Sequence, residues 1–253
     1  MMFQIAAAFA MASKKGTTAS FPNLNSHLIF IDNNTNTLDR PRRIAAEYRQ
    51  LFATLDVSPP HKELPIIRFP FHYENIEVPK DCWIDGFFQS EKYFIEYRNE
   101  ILSHSQFTPT EQISDFLNSY SNLLCDNTLS LHVRRGDYLK FPLHHPPLTL
   151  EYYQNATFEM EPFDCCLVFS DDLVWCQDNF KDDRFVFINE KDYFELFLMS
   201  KCKNHIISNS SFSWWGAWLN PNEDKRVISP KEWFGPQIVQ ETKDLYCDGW
   251  IVR

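Results

Sequence analysis

The stretch CCLVFSDDLVWCQDNFKDDRFVFINEKDYFELFLMSKCKNHIISNSSFSWWGAWL (165–219) decides the fold. Three short apolar runs, CCLVFS (165–170), RFVFI (184–188) and NHIIS (204–208), read as strands. Between and after them, DLVWCQDNF (172–180), EKDYFELFLMSKC (190–202) and SSFSWWGAWL (210–219) read as helices. Short apolar strands alternating with helices imply an α/β fold whose parallel sheet is covered on both faces. Ligands of such sheets bind beyond the carboxyl ends of the strands. Working outward, LSLHV (129–133) is a further strand and TLEYYQNATFEM (149–160) a further helix. RVIS (226–229) adds a strand at the far side.

The first half is less regular. Prolines at 59, 60, 65, 70 and 79 break it into short strands or loops. HLIFI (27–31) reads as a strand, and 41–56 as a helix around Ile44, Tyr48, Leu51 and Leu55. CWIDGFF (82–88) suggests a strand. SEKYFIEYRNEIL (90–102) suggests a helix capped by Ser90, and 109–124 another. The opening MMFQIAAAFAMASKKG is apolar up to Lys14 and Lys15. A secretory signal carries its positive charge before the apolar run, and a membrane span needs about 20 residues. Alanines favour helix and Lys-Lys-Gly favours its end, so a buried helix over Phe3–Lys15 is expected.

Bulk properties narrow the function. The 253 residues are 44 % hydrophobic with a net charge of −10, so a packed core forms and nucleic acid finds no attractive overall field. An anionic ligand then needs a local cationic site. Seven cysteines without a C-x-x-C read as reduced buried thiols. No Asp-x-Asp metal motif occurs, nor a glycine-rich nucleotide loop.

Three strand ends carry candidate chemistry. LHVRRGDY (131–138) delivers His132, Arg134, Arg135 and Asp137. Two guanidiniums at a strand end suit a pyrophosphate, though an Arg–Asp pair at a turn has the same spelling. Read as an adhesion signal, Arg135-Gly136-Asp137 would sit unusually at the end of a buried strand. In SNSSFSWWGAWLN (208–220), Asn209, Ser210 and Ser211 precede a helix whose free N–H groups suit an anion. A capped core helix, with Trp214 and Trp215 simply packing, is the alternative. In FSDD (169–172), Asp171 and Asp172 either accept from a ribose or base, or cap the next helix. Together the three ends favour a nucleoside diphosphate ligand.

These residues carry a family resemblance. HVRRGDY, FSDDLVWCQDNF, LMSKCKNHIISNSSFSWWGAWLNP and VISPKEWF resemble the α-1,2-fucosyltransferases of glycosyltransferase family 11. GFFQSEKYF (86–94) and DLYCDGWI (244–251) are similar to further family segments. The resemblance implies a GT-B architecture: two Rossmann-like halves, 1–127 on the acceptor side and 128–253 binding GDP-fucose, with the active site in the cleft between them. It implies inverting, metal-independent transfer of L-fucose from GDP-fucose to the 2-hydroxyl of a terminal galactose. No cofactor or nucleic-acid partner is implied.

His132, Arg134 and Asp137 are the implied catalytic positions. Arg134, Arg135, Asp171, Asp172, Asn209, Ser210 and Ser211 would bind the donor. His144 and His145 would touch the acceptor or simply face solvent. Family members begin with a strand and a Gly-Asn-Gln loop before "MFQ", which is matched here by Met2-Phe3-Gln4. That strand and loop are therefore expected to be missing, either through a truncated or late start or through a true loss of the strand and part of the site. The competing expectations are an inactive GDP-sugar-binding homologue and a fucosyltransferase with another acceptor. A cytoplasmic enzyme, at most peripheral to a membrane, is expected.

Overall fold

Leu129, Leu131 and Val133 alternate with Ser130 and His132 along one strand, and all five are buried. A strand buried on both faces must lie inside a sheet with layers above and below it. The computed structural model, which describes residues 1–24 and 51–253, places it there. The strand expected at 27–31, and all but the end of the helix expected at 41–56, lie outside the described residues.

The described chain forms two compact units, Met1–Thr108 and Pro109–Arg253. The expected functional boundary after residue 127 falls later than this division. In the first unit α1 is Met2–Lys15, one residue longer than expected, and Gly16 ends it in the left-handed conformation at φ 60°. Its Phe9 ring stacks on His104 at 3.8 Å, and Phe3 lies 6.3 Å from Phe94. Strands β1 (Ile66–Arg68) and β2 (Trp83–Asp85) pair in parallel. The expected helix over 90–102 is broken. It forms two 3₁₀ turns, Glu91–Tyr93 and Ile95–Tyr97, and then α2, Arg98–Ser103. The neighbouring rings of Tyr93 and Phe94 are both buried. They pack on different partners, Tyr93 on Phe69 at 5.7 Å and Phe94 on Phe3 at 6.3 Å. Ser90 does cap the first turn.

The second unit begins with α3 (Glu111–Ser119), capped by Thr110 and shorter than expected. Then β3 (Thr128–Val133), α4 (Leu150–Glu159), β4 (Cys165–Ser170), α5 (Leu173–Asn179) and β5 (Phe185–Ile188) follow. The chain continues through α6 (Asp192–Met199), β6 (Asn204–Ile206), α7 (Ser211–Leu219), β7 (Val227–Ser229) and β8 (Ile251–Val252). The six strands pair in parallel in the order β5-β4-β3-β6-β7-β8. This is the doubly wound Rossmann order expected for one GT-B half, and the strand order reverses between β3 and β6. On one face Leu129, Leu131, Val133, Cys166, Val168 and Ile206 pack with Tyr153 and Ala156 of α4 and Cys176 of α5. On the other, His132 meets α7, with the Phe212 ring 5.3 Å away. Among the described residues no helix is long and apolar enough to cross a membrane.

The α6–α7 contact is close because Gly216 has no side chain. A Cβ there would collide with Sδ of Met199 and lie 2.9 Å from its Cγ. Met199 is fully buried, so it has little room to yield. Gly216→Val should therefore destabilise the protein by about 1–3 kcal/mol, read as a lower melting temperature.

A second consequence concerns acid. His205 is fully buried, with Nδ1 2.7 Å from Ser130 Oγ and Nε2 2.8 Å from the Asn220 amide nitrogen. That amide can only donate, so Nε2 accepts and Nδ1 carries the proton. Burial, helped by Lys225, pushes the pKa down from 6.5 to about 3. The unfolded chain takes up this proton near 6.5 and the folded chain does not, so the stabilisation is complete above 6.5 and lost as pH falls towards 3. Denaturant midpoints should show a loss of about 2 kcal/mol at pH 5, and His205→Gln should flatten that slope.

Candidate active site

The loops that follow β3, β4 and β6 meet at the carboxyl ends of the sheet, where the strand order reverses. His132 Nδ1 lies 2.7 Å from Ser208 Oγ and so ties β3 to the end of β6. Tyr138 Oη donates to the Asn209 carbonyl at 2.9 Å, joining the same two loops farther out. Asp171 accepts the Arg135 backbone N–H at 2.9 Å and joins the β3 loop to the β4 loop. The three motifs singled out in the sequence thus form one bonded cluster.

Both guanidiniums are already engaged. Arg134 Nη2 is 2.7 Å from Asp137 and Nη1 is 3.2 Å from Asp171. Its charge also lies 5.5 Å from the centre of the Tyr138 ring. Burial opposes that charge, but Asp171 and Asp137 outweigh it, so the pKa of Arg134 is raised. Arg135 Nε donates to Asp172 at 3.1 Å, and its guanidinium lies 4.2 Å over Trp175. Asp172 also caps α5 by accepting the Trp175 N–H at 3.2 Å. Of the two readings of FSDD, the helix cap holds at Asp172, which in addition pairs with Arg135. Tyr138 stays a neutral donor, because burial pushes its pKa to about 12.

The donor residues expected at α7 divide by environment. The Asn209 amide nitrogen donates to the carbonyls of Pro146 and Trp233, at 2.9 and 3.2 Å. Ser210 caps α7 through the Phe212 N–H at 3.3 Å. Ser211, in the first turn, is exposed. Trp214 and Trp215 are core, as the packing alternative has it, and Trp214 Nε1 donates to the Leu245 carbonyl. His144 is exposed. His145 is half-buried between Tyr138, stacked at 4.9 Å, and Phe234 at 5.6 Å, and burial lowers its pKa. The sequence reading missed Tyr138 and Trp175 as arginine supports. Both are aromatic residues three or four positions beyond a site residue, and that spacing was the available signal. Among the described residues no group of three or more His, Cys, Asp or Glu is arranged to hold a metal.

Residues 67–253, most of the chain and all of this cluster, match the family described as glycosyl transferase family 11. The chain belongs to that family. It is 36 % identical over 190 residues to the O-antigen biosynthesis glycosyltransferase WbnK of Escherichia coli, covering 70 % of this chain and 62 % of that protein. It is 35 % identical over 162 residues to an alpha-1,2-colitosyltransferase of Escherichia coli, covering 59 % of this chain and 55 % of that protein. The chain thus spans less than two thirds of the length of either relative. Among solved structures, the fucosyltransferase NodZ from Bradyrhizobium matches with 12 % identity and a TM-score of 0.46, over 87 % of this chain and 88 % of that one.

One glycine is critical to the cluster. A Cβ on Gly136 would stand 2.5 Å from Asp171 Oδ2. Gly136→Ala should push Asp171 away and break its bond to the Arg135 N–H. Hydrogen exchange at that amide should then quicken about tenfold or more, while exchange in α7 stays unchanged.

Proposed function

We propose that the chain is the catalytic part of a glycosyltransferase that moves L-fucose from GDP-fucose to the 2-hydroxyl of a terminal galactose, with inversion and without a metal or other cofactor. The observation that carries this reading is the pair of pre-set guanidiniums at the strand-order reversal, within the region that matches family 11. Leaving GDP gains negative charge as the sugar–phosphate bond breaks. Fixed cations stabilise that charge most where they need no rearrangement. Arg134 and Arg135 are assigned to the diphosphate. The exposed Ser211 and the first turn of α7 add donors. His132 and Ser208 hold β3 and β6 in register beneath the loops. His144 and His145 lie on the loop assigned to the acceptor.

The donor sugar has a second reading. A relative at 35 % identity is named as an alpha-1,2-colitosyltransferase, so a colitose nucleotide is the rival donor.

The test is a transfer assay on this chain with lactose, EDTA and either nucleotide sugar, read by mass spectrometry. One deoxyhexose should be added from GDP-fucose, and Arg134→Ala and Arg135→Ala should each lower turnover by about 10²-fold or more. Transfer only from the colitose nucleotide would replace the donor. A requirement for added divalent metal would refute the metal-free mechanism.

A further inference from the structure

The arginines assigned to the diphosphate already hold the protein's own carboxylates, which compete with an incoming phosphate. The three carboxylates are not equally replaceable. Asp171 is only 8 % exposed in its side chain, takes the Arg135 N–H and faces the Arg134 charge. Asp172 caps α5 and bonds Arg135. Asp137 differs from both. Its side chain is 45 % exposed, and among the described residues Arg134 is its one ion-pair partner.

That pairing is close but open to exchange. Asp137 Oδ1 approaches Arg134 Nη2 to 2.7 Å from a side chain that is nearly half open to solvent. An anion that meets the planar fork squarely does better.

We propose that Asp137 is a displaceable counter-ion, holding the Arg134 fork until the diphosphate of the donor takes its place. This rests on the assignment of Arg134 to the diphosphate. The exchange is one of ion pairs, with no bond made or broken. It keeps Arg134 in position and satisfied in the empty site, and it lowers donor affinity by the strength of the pair displaced. Asp171 remains in place throughout as the positioning residue.

The test is calorimetric titration with GDP on four proteins: the unaltered chain, Asp137→Asn, Arg134→Gln and the double variant. Asp137→Asn should bind GDP about tenfold more tightly, and Arg134→Gln about tenfold more weakly. In the Arg134→Gln background the gain from Asp137→Asn should vanish, because no fork remains to compete for. Asp137→Ser serves as a second variant should the asparagine form melt early. Unchanged or weaker GDP binding in well-folded Asp137 variants overturns the proposal. A full gain that persists without Arg134 also overturns it, since Asp137 would then act only through the general field. Arg134→Gln binding GDP as well as the unaltered chain would remove the diphosphate assignment itself, and the exchange with it.

Discussion

The Asp171 carboxylate is the point on which the cluster depends. One buried side chain at the end of β4 holds a backbone N–H of the neighbouring loop and faces the Arg134 guanidinium. The loop passes so close that only a glycine fits at 136. Order in the β3 loop is thus borrowed from β4. The parallel register makes this work, because Val133 lies opposite Ser170 and both loops leave the sheet at the same height. A shift of either strand would separate the charges that the loops bring together.

Charge is handled locally in a protein that is acidic overall. The net charge of −10 repels anions at a distance, and two arginines beside three aspartates leave no excess of positive charge. On the proposed reading, attraction for a phosphate comes from direction and burial rather than from net charge. Tyr138 and Trp175 supply ring faces to the two guanidiniums and add weak attraction without a competing anion. These supports confine each fork to one orientation before any ligand arrives.

Much of this was legible in the sequence. The strand–helix alternation over 165–219 was correct in kind because its strands are short, mostly apolar and, at the centre of the sheet, buried on both faces. Capping residues were also readable, as at Ser90, Asp172 and Ser210, since their chemistry is local. The helix expected at 90–102 was not, because the aromatic packing that interrupts it involves Phe3 and Phe69, far away in the chain. At the site, the residues that gather at the strand ends were identifiable, but their pairings were not. Nothing local says that Arg134 faces Asp171 or that the Asn209 amide turns to Pro146 and Trp233. Those partners are set by strand order, which a motif does not encode.

Asn209 carries one more consequence. Its amide nitrogen fastens the turn at Pro146 and the turn at Trp233, while its carbonyl takes the Tyr138 hydroxyl. The backbone of Gly235 is bonded to His144, and that of Gln237 to Leu143. The loops along this rim are stitched together edge to edge, so the rim behaves as a collar and not as a set of flaps. A collar gives up little freedom when something enters it, and less of the binding energy is then spent on ordering the protein. If the proposed ligands enter here, selectivity comes from the shape that each stitch helps to fix.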